Sequence, residues 1–215
     1  MPASRIFYGL ALLPFVVVLL FATLRPLKVL PRIRISPGYL LVDQNGDRVS
    51  SEDMRGQITL YGFTSTQCGL PCEEAEGVMS DVSAQLDPQA DIPVELVTIT
   101  VDEKEQLPDA LRAYALRKGI EPSRWLLTGE AQQVKLVVGG GFNTFYERDS
   151  SGQLQIDPSL MLVDGLGILR AEYRGRLPST SAILRDINLL TQEARNSTGL
   201  TRYAYEAAHL FLCYP

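Results

Sequence analysis

The chain has 215 residues, 46% hydrophobic and 21% charged, with a formal net charge of -5. That length holds one domain with some chain to spare, and the acidic balance excludes a nucleic-acid binder that works by charge. Three cysteines are too few for a disulfide-rich scaffold, and a single histidine, His209, excludes any multi-histidine metal centre within the chain.

Residues 6–24, IFYGLALLPFVVVLLFATL, carry no charge. As a helix they span about 29 Å, close to the thickness of a hydrocarbon core. Pro14 is tolerated in such a helix. A cleaved signal peptide is the competing reading, but the apolar run is longer than a usual signal core and no small-x-small site precedes Arg25-Pro26. The sequence therefore predicts one N-terminal transmembrane helix, residues 1–35 with its Pro-punctuated linker. Arg25, Lys28, Arg32 and Arg34 follow the span, and the positive-inside rule alone places what comes after them in the cytoplasm.

Residues 39–43 read as a strand and 48–50 as its return, joined through Asn45-Gly46, a strong hairpin signal. Residues 51–54 make a short turn closed by Gly56. The run Ile58-Thr59-Leu60-Tyr61-Gly62-Phe63 is rich in β-formers and predicts a buried strand of a central sheet. Cys68-Gly69-Leu70-Pro71-Cys72 follows, with Glu73, Glu74 and Glu76 behind it. Acidic residues after a proline predict the first turn of a helix, here residues 73–86. Ala75, Val78, Met79, Val82 and Leu86 share one face of it, which makes Met79 a core residue rather than a copper ligand.

The cysteine pair thus lies on a strand-to-helix turn at the carboxyl end of a buried strand, where reactive groups gather in open α/β sheets. Three readings stay open. Thiolates select soft metals, so Cys68 and Cys72 suit Cu(I). Their spacing also allows the Cα separation of roughly 4.4–6.8 Å that a disulfide requires, which makes a redox pair. The third reading is an incidental pair. The glutamates attract a cation but also disfavour thiolates.

Residues 94–101 predict a strand. Residues 107–118 predict a helix, with Pro108 in its first turn and Gly119 just past its end. Residues 125–127 are a short strand. Residues 130–138 read as a helix broken at Gly139-Gly140-Gly141. Residues 142–146 are a candidate strand and 147–152 a polar loop. Residues 159–163 and 168–173 form a second hairpin around Asp164-Gly165. Residues 179–195 make a last helix with Ile183, Leu184, Ile187 and Leu190 on its apolar side. Alternating strands and helices give an α/β layered domain over residues 36–195. The tail, 196–215, carries Tyr203, Tyr205, His209, Phe211, Cys213 and Tyr214. Docking on a partner, and packing on its own domain or on a membrane surface, both remain open for it.

Several of these strings resemble one family. Leu41-Val42-Asp43-Gln44-Asn45-Gly46, Asp53-Met54-Arg55-Gly56-Gln57 and above all Leu60-Tyr61-Gly62-Phe63-Thr64-Ser65-Thr66-Gln67-Cys68-Gly69-Leu70-Pro71-Cys72 look like the Sco/SenC family of copper chaperones. The likeness continues through Thr98-Ile99-Thr100-Val101-Asp102, Ala113-Tyr114-Ala115, Leu127-Thr128-Gly129 and Leu162-Val163-Asp164-Gly165-Leu166-Gly167. The resemblance implies a thioredoxin-like fold, a central mixed sheet flanked by helices with an N-terminal β-hairpin, held on one membrane anchor. It implies service to the copper centre of cytochrome c oxidase, from the periplasmic side of a cell inner membrane or the equivalent side of a mitochondrial inner membrane. That placement is preferred here over the charge count. Such an oxidising compartment would let Cys68 and Cys72 exist as a disulfide.

The resemblance also implies copper held by Cys68, Cys72 and a histidine just ahead of the Asp-x-x-Gly turn. That stretch reads Gln155-Ile156-Asp157-Pro158-Ser159, so Pro158 stands in the histidine's place. Asp157 is a hard donor, poorly matched to Cu(I). The family's prolines after each cysteine are Gly69 and Glu73 here, and its Asp-Pro after the next strand is Asp102-Glu103. Three functions follow as expectations: a copper-delivering or redox-active Sco-like protein, a thiol–disulfide oxidoreductase, and a non-catalytic accessory subunit. The expected partners are a membrane and the subunits of a respiratory complex, oxidase or quinol-oxidising.

Overall fold

Residues Ile58–Thr64 form strand β4, and all seven are buried. A strand covered on both faces has no solvated side to mark with polar residues, so it reads as a continuous apolar run. Each large apolar side chain so buried contributes about 1.5–3 kcal/mol. The structure, a computed structural model, describes residues 12, 16, 28–65, 68–102, 108–148, 150, 154–197, 199 and 201–211. The chain divides into two compact units, Arg32–Thr191 and a smaller one of Met1–Pro31 with Gln192–Pro215.

In the larger unit three short strands precede β4: β1 (Arg34–Ile35), β2 (Leu40–Asp43) and β3 (Arg48–Ser50). The β2–β3 hairpin forms as expected, with Gly46 at φ 93° in its turn. Asp43 holds that turn by accepting from the backbone N–H groups of Asn45 and Asp47, each at 2.8 Å. After β4 come helix α1 (Leu70–Ser83), β5 (Val94–Thr100), α2 (Pro108–Lys118) and β6 (Trp125–Thr128). Strands β4, β5 and β6 are parallel, as helical crossovers require.

Helix α3 (Ala131–Val134) runs into a wider π turn, Lys135–Gly141. Then follow β7 (Tyr146–Arg148), β8 (Leu154–Ile156), β9 (Ser159–Val163), β10 (Ile168–Arg174) and α4 (Thr180–Asn196). The main sheet has the order β1-β10-β9-β4-β5-β6-β2-β3, and β7 pairs only with β8. This is the expected mixed sheet, with β4 and β5 at its centre.

Three expectations need correction. Helix α1 begins at Leu70, not Glu73, so Cys72 lies inside its first turn; a proline in that turn forfeits only an N–H that has no helical partner. The glycine triplet does not break its helix but completes the π turn. There Gly141 is required by space, since a Cβ on it would come within 2.3 Å of Pro37 Cβ. The expected strand over 142–146 starts only at Tyr146 and takes in Glu147 and Arg148, which read as loop. The tail, to which the sequence assigns no secondary structure, contains a helix, α5 (Thr201–Phe211).

Helix α5 belongs to the smaller unit. Its Tyr205 and Ala208 bury against Val29, and its His209 meets Glu193 at 2.8 Å. So this part of the tail packs on its own chain. The expected transmembrane segment, residues 6–24, lies outside the described residues except for Leu12 and Val16, both helical. Among the described residues no helix is long and apolar enough to cross a membrane. Cys213 is also outside them.

Candidate functional site

Strands β4 and β5 run in register from Ile58 beside Val94 to Thr64 beside Thr100, so they end level. The chain leaves β4 through Ser65, reaches Cys68, and enters α1 with Gly69 as its N-cap residue. The Cys68 N–H donates to the Ser65 carbonyl at 3.1 Å, and the N–H groups of Cys72 and Glu73 donate to the Gly69 carbonyl at 3.1 and 3.2 Å. These bonds fold the turn back on itself. Cys68 and Cys72 are joined in a disulfide across it, their Cα atoms 5.8 Å apart.

The two sulfurs are not equivalent. Cys72 is 5% exposed and packed in the main core cluster, whereas Cys68 is only partly buried against that cluster. Leu70, between them, is 80% exposed. An incoming nucleophile therefore finds Cys68 first. Cleavage there leaves the Cys72 sulfur in the first turn of a helix, a position that stabilises a thiolate.

The charge around the pair differs from the sequence expectation. Glu73 accepts from Lys118 Nζ at 2.8 Å, and this bond is the main reason the Lys118 ammonium is held above its ordinary value. Glu76 forms a buried ion pair with Arg124, which also reaches Thr98 Oγ1. Two of the three glutamates are thus matched by cations. Tyr114 donates or accepts at Thr64 Oγ1, 3.0 Å away, and burial pushes its phenol up. Deeper still, Tyr39 and Tyr61 share a hydroxyl–hydroxyl bond of 3.1 Å, and the Tyr61 ring lies 4.9 Å from that of Phe142.

One part of the site was not legible as such in the sequence. Asp102 is a buried carboxylate, 6% exposed. It accepts from Ser65 Oγ at 2.6 Å and from Thr100 Oγ1 at 3.0 Å. The available signal was the spacing Thr98-x-Thr100-x-Asp102, which keeps three polar groups on one side at the end of a buried strand.

The donor set for copper is incomplete. Pro158 precedes β9, and its carbonyl accepts from the Gly175 N–H at 3.0 Å. A proline side chain has no donor atom for a metal. The Asp157 side chain is exposed, and its backbone N–H donates to Phe145 at 3.0 Å. His209 lies in the other unit, and Met79, 1% exposed, is part of the core. Among the described residues no three His, Cys, Asp or Glu side chains are grouped to hold a metal ion. The residues present do not fit a three-donor copper centre; they offer two sulfurs, here joined to each other.

The SCO1/SenC family model matches residues 29–192. An SCO2-like protein of Rickettsia prowazekii is 33% identical over 120 residues, which cover 56% of this chain and 57% of that protein. The match thus spans little more than half of that relative's length. Among solved structures, BsSco, described as a Sco-family cytochrome c oxidase assembly protein with a disulfide switch, superposes with a TM-score of 0.65 at 21% identity. It covers 76% of this chain and 98% of its own. Arabidopsis thaliana ScoI with copper bound gives 0.60 at 19%, covering 75% and 98%. At such identities the superpositions establish the fold, which is the thioredoxin-like fold of these proteins.

Proposed function

The chain belongs to the SCO1/SenC family, and on that premise we propose that it works by thiol–disulfide exchange at Cys68 and Cys72 in the assembly of a copper-containing respiratory oxidase. The observation that carries this reading is the disulfide itself, set on the β4–α1 turn with Cys68 more open than Cys72 and, among the described residues, no third metal donor grouped with the pair. In the exchange a partner thiolate attacks Cys68 Sγ, the Cys68–Cys72 bond breaks, and the electron pair goes to Cys72 Sγ, which takes up a proton. A second partner thiolate then attacks the partner's sulfur in the mixed disulfide and releases Cys68 as a thiol. The partner loses two electrons and two protons, and the pair gains both.

The apolar run over residues 6–24 supports a membrane anchor for this work, and a disulfide supports an oxidising compartment on the outer side of the membrane. The partner is then a cysteine pair on an oxidase subunit, presented at that surface. In the reduced state the two thiolates form a two-sulfur Cu(I) site, weaker than one completed by histidine. The missing histidine also supports a second reading, an accessory subunit that keeps its disulfide permanently.

Trapping separates them. Full-length Cys72→Ser protein, produced in its native membrane, should accumulate as a mixed disulfide through Cys68, releasable by dithiothreitol. A Cys72→Ser protein that never forms such an adduct, with a wild-type pair that never cycles, leaves the accessory reading in its place.

A further inference from the structure

The disulfide turn is tied to the sheet through one buried carboxylate. Asp102, just past the end of β5, accepts from Ser65 Oγ at 2.6 Å. Ser65 in turn accepts at its carbonyl from the Cys68 N–H at 3.1 Å. Thr100 Oγ1 donates to the other oxygen of Asp102 at 3.0 Å, and the Val101 N–H donates to the Thr64 carbonyl at 2.9 Å. Ser65, which begins the cysteine turn, is thus held through its side chain by Asp102, and Thr64 before it through its carbonyl by Val101, both just past the end of β5. Ser65 is 1% and Asp102 6% exposed. Hydrogen bonds to a charged acceptor in such a setting are among the stronger ones.

We propose that Asp102 is a positioning residue for the Cys68–Cys72 couple, acting through Ser65 to hold Cys68 where it closes on Cys72. This deepens the exchange reading and rests on it. Closing a disulfide depends on how often the two sulfurs meet. A turn fixed at one end by the Ser65–Asp102 bond presents Cys68 to Cys72 at high effective concentration, and loosening that end lowers it. The link therefore favours the disulfide over the dithiol, and slows loss of the bond once formed. Without the link the pair is a stronger oxidant, since the reduced form costs less.

The test uses full-length protein in detergent, equilibrated with reduced and oxidised glutathione. Ser65→Ala removes the donor and leaves the carboxylate in place. Asp102→Asn keeps an acceptor oxygen but loses the charge, so its effect has the same sign and is smaller. Tyr114→Phe deletes a buried hydroxyl bonded to neighbouring Thr64 without touching the link, and serves as the control for general loosening. Ser65→Ala is expected to shift the equilibrium toward the dithiol by about tenfold, the size of one charge-assisted hydrogen bond. Tyr114→Phe lowers the unfolding midpoint with no such shift. The proposal is overturned if Ser65→Ala leaves the equilibrium within about twofold of wild type, or if Tyr114→Phe moves it as far. Because glutathione replaces the partner, a negative result here is distinguishable from failure to trap a partner, which would remove the exchange reading itself.

Discussion

Arg124 and Glu76 form a buried bidentate ion pair that ties the entry of β6 to the helix carrying Cys72. Their side chains are 2% and 10% exposed, and the second bond of the pair, from Arg124 Nη2 to Glu76 Oε2, is 3.2 Å. Glu76 is four residues beyond Cys72, on the same helix face. Removing one partner strands a buried charge, so Arg124→Ala or Glu76→Ala is expected to cost about 3–5 kcal/mol. Replacing both, Glu76→Leu with Arg124→Met, removes the stranded charge and is expected to recover most of that loss. Urea unfolding of the three proteins checks this. Single variants within roughly 1 kcal/mol of wild type would show that the pair does not anchor the helix.

The unequal burial of the two sulfurs predicts unequal chemistry. In a Cys72→Ser, Cys213→Ser protein the remaining thiol is the more open Cys68, and it is expected to react readily with an aromatic disulfide reagent. In a Cys68→Ser, Cys213→Ser protein the remaining thiol, Cys72, is 5% exposed, and it is expected to react at least about tenfold more slowly. Stopped-flow absorbance of the released aromatic thiol gives both rates. Equal rates would mean that the turn opens faster than the reagent attacks, and the order of attack on the disulfide would then be unassigned.

The central elements were legible because their patterns were unmixed. β4 and β9 read as strands from continuous apolar runs, and the β2–β3 hairpin from Asn45-Gly46. The cysteine turn was placed by its position between an apolar strand and an acidic first turn. The misreadings have different physical causes. Gly139, Gly140 and Gly141 look like a helix breaker, yet a π turn passes through them because Gly141 must lie against Pro37. Glu147 and Arg148 look like loop, yet they pair with β8 on a ribbon whose pairing is local. Lys118 and Arg124 neutralise glutamates that are 45 and 48 residues away in sequence, and no local pattern carries that. Pro158 was legible as a departure from the family because a single residue type decides whether a ligand exists.

Asp53 sets a small acid-dependent contribution at the turn before β4. Its carboxylate accepts from the Ser50 backbone N–H at 2.7 Å and from the Ser50 hydroxyl at 2.8 Å. The backbone bond is the larger cause holding this carboxyl below its ordinary value of 3.8. A carboxyl lowered in the folded state stabilises the fold above its unfolded value, and that contribution is lost as pH falls through the folded value. Asp53→Asn is therefore expected to lower the thermal midpoint at neutral pH, with the difference from wild type closing below about pH 3.8. The site is exposed, so the effect is small and salt changes it little, since the partners are neutral. A difference that persists unchanged into acid would assign the loss to the side chain's shape and not its charge.

Pro158 offers the most direct control on the metal. In the ladder of β9 against β4, Leu160 lies beside Gly62. Pro158, two residues earlier, falls level with Thr64, at the end of β4 from which the cysteine turn departs. A histidine there would stand at the end of the sheet from which the cysteine turn departs, and among the described residues no third donor is now grouped with the two sulfurs. The change of an outer partner alone moves metal affinity by about tenfold to a hundredfold, so a direct donor should add at least about tenfold. Pro158→His, reduced and titrated with Cu(I) against a competing chelator, is expected to show that gain over wild type. Pro158→Ala controls for relief of the proline's backbone restriction. If the alanine protein gains as much as the histidine protein, loop freedom and not a missing donor limits copper binding. If neither gains, the loop does not reach the sulfurs, and the weak copper affinity expected of this chain has another origin. A gain confined to the histidine protein would mean that one substitution separates a redox pair from a copper site on this fold.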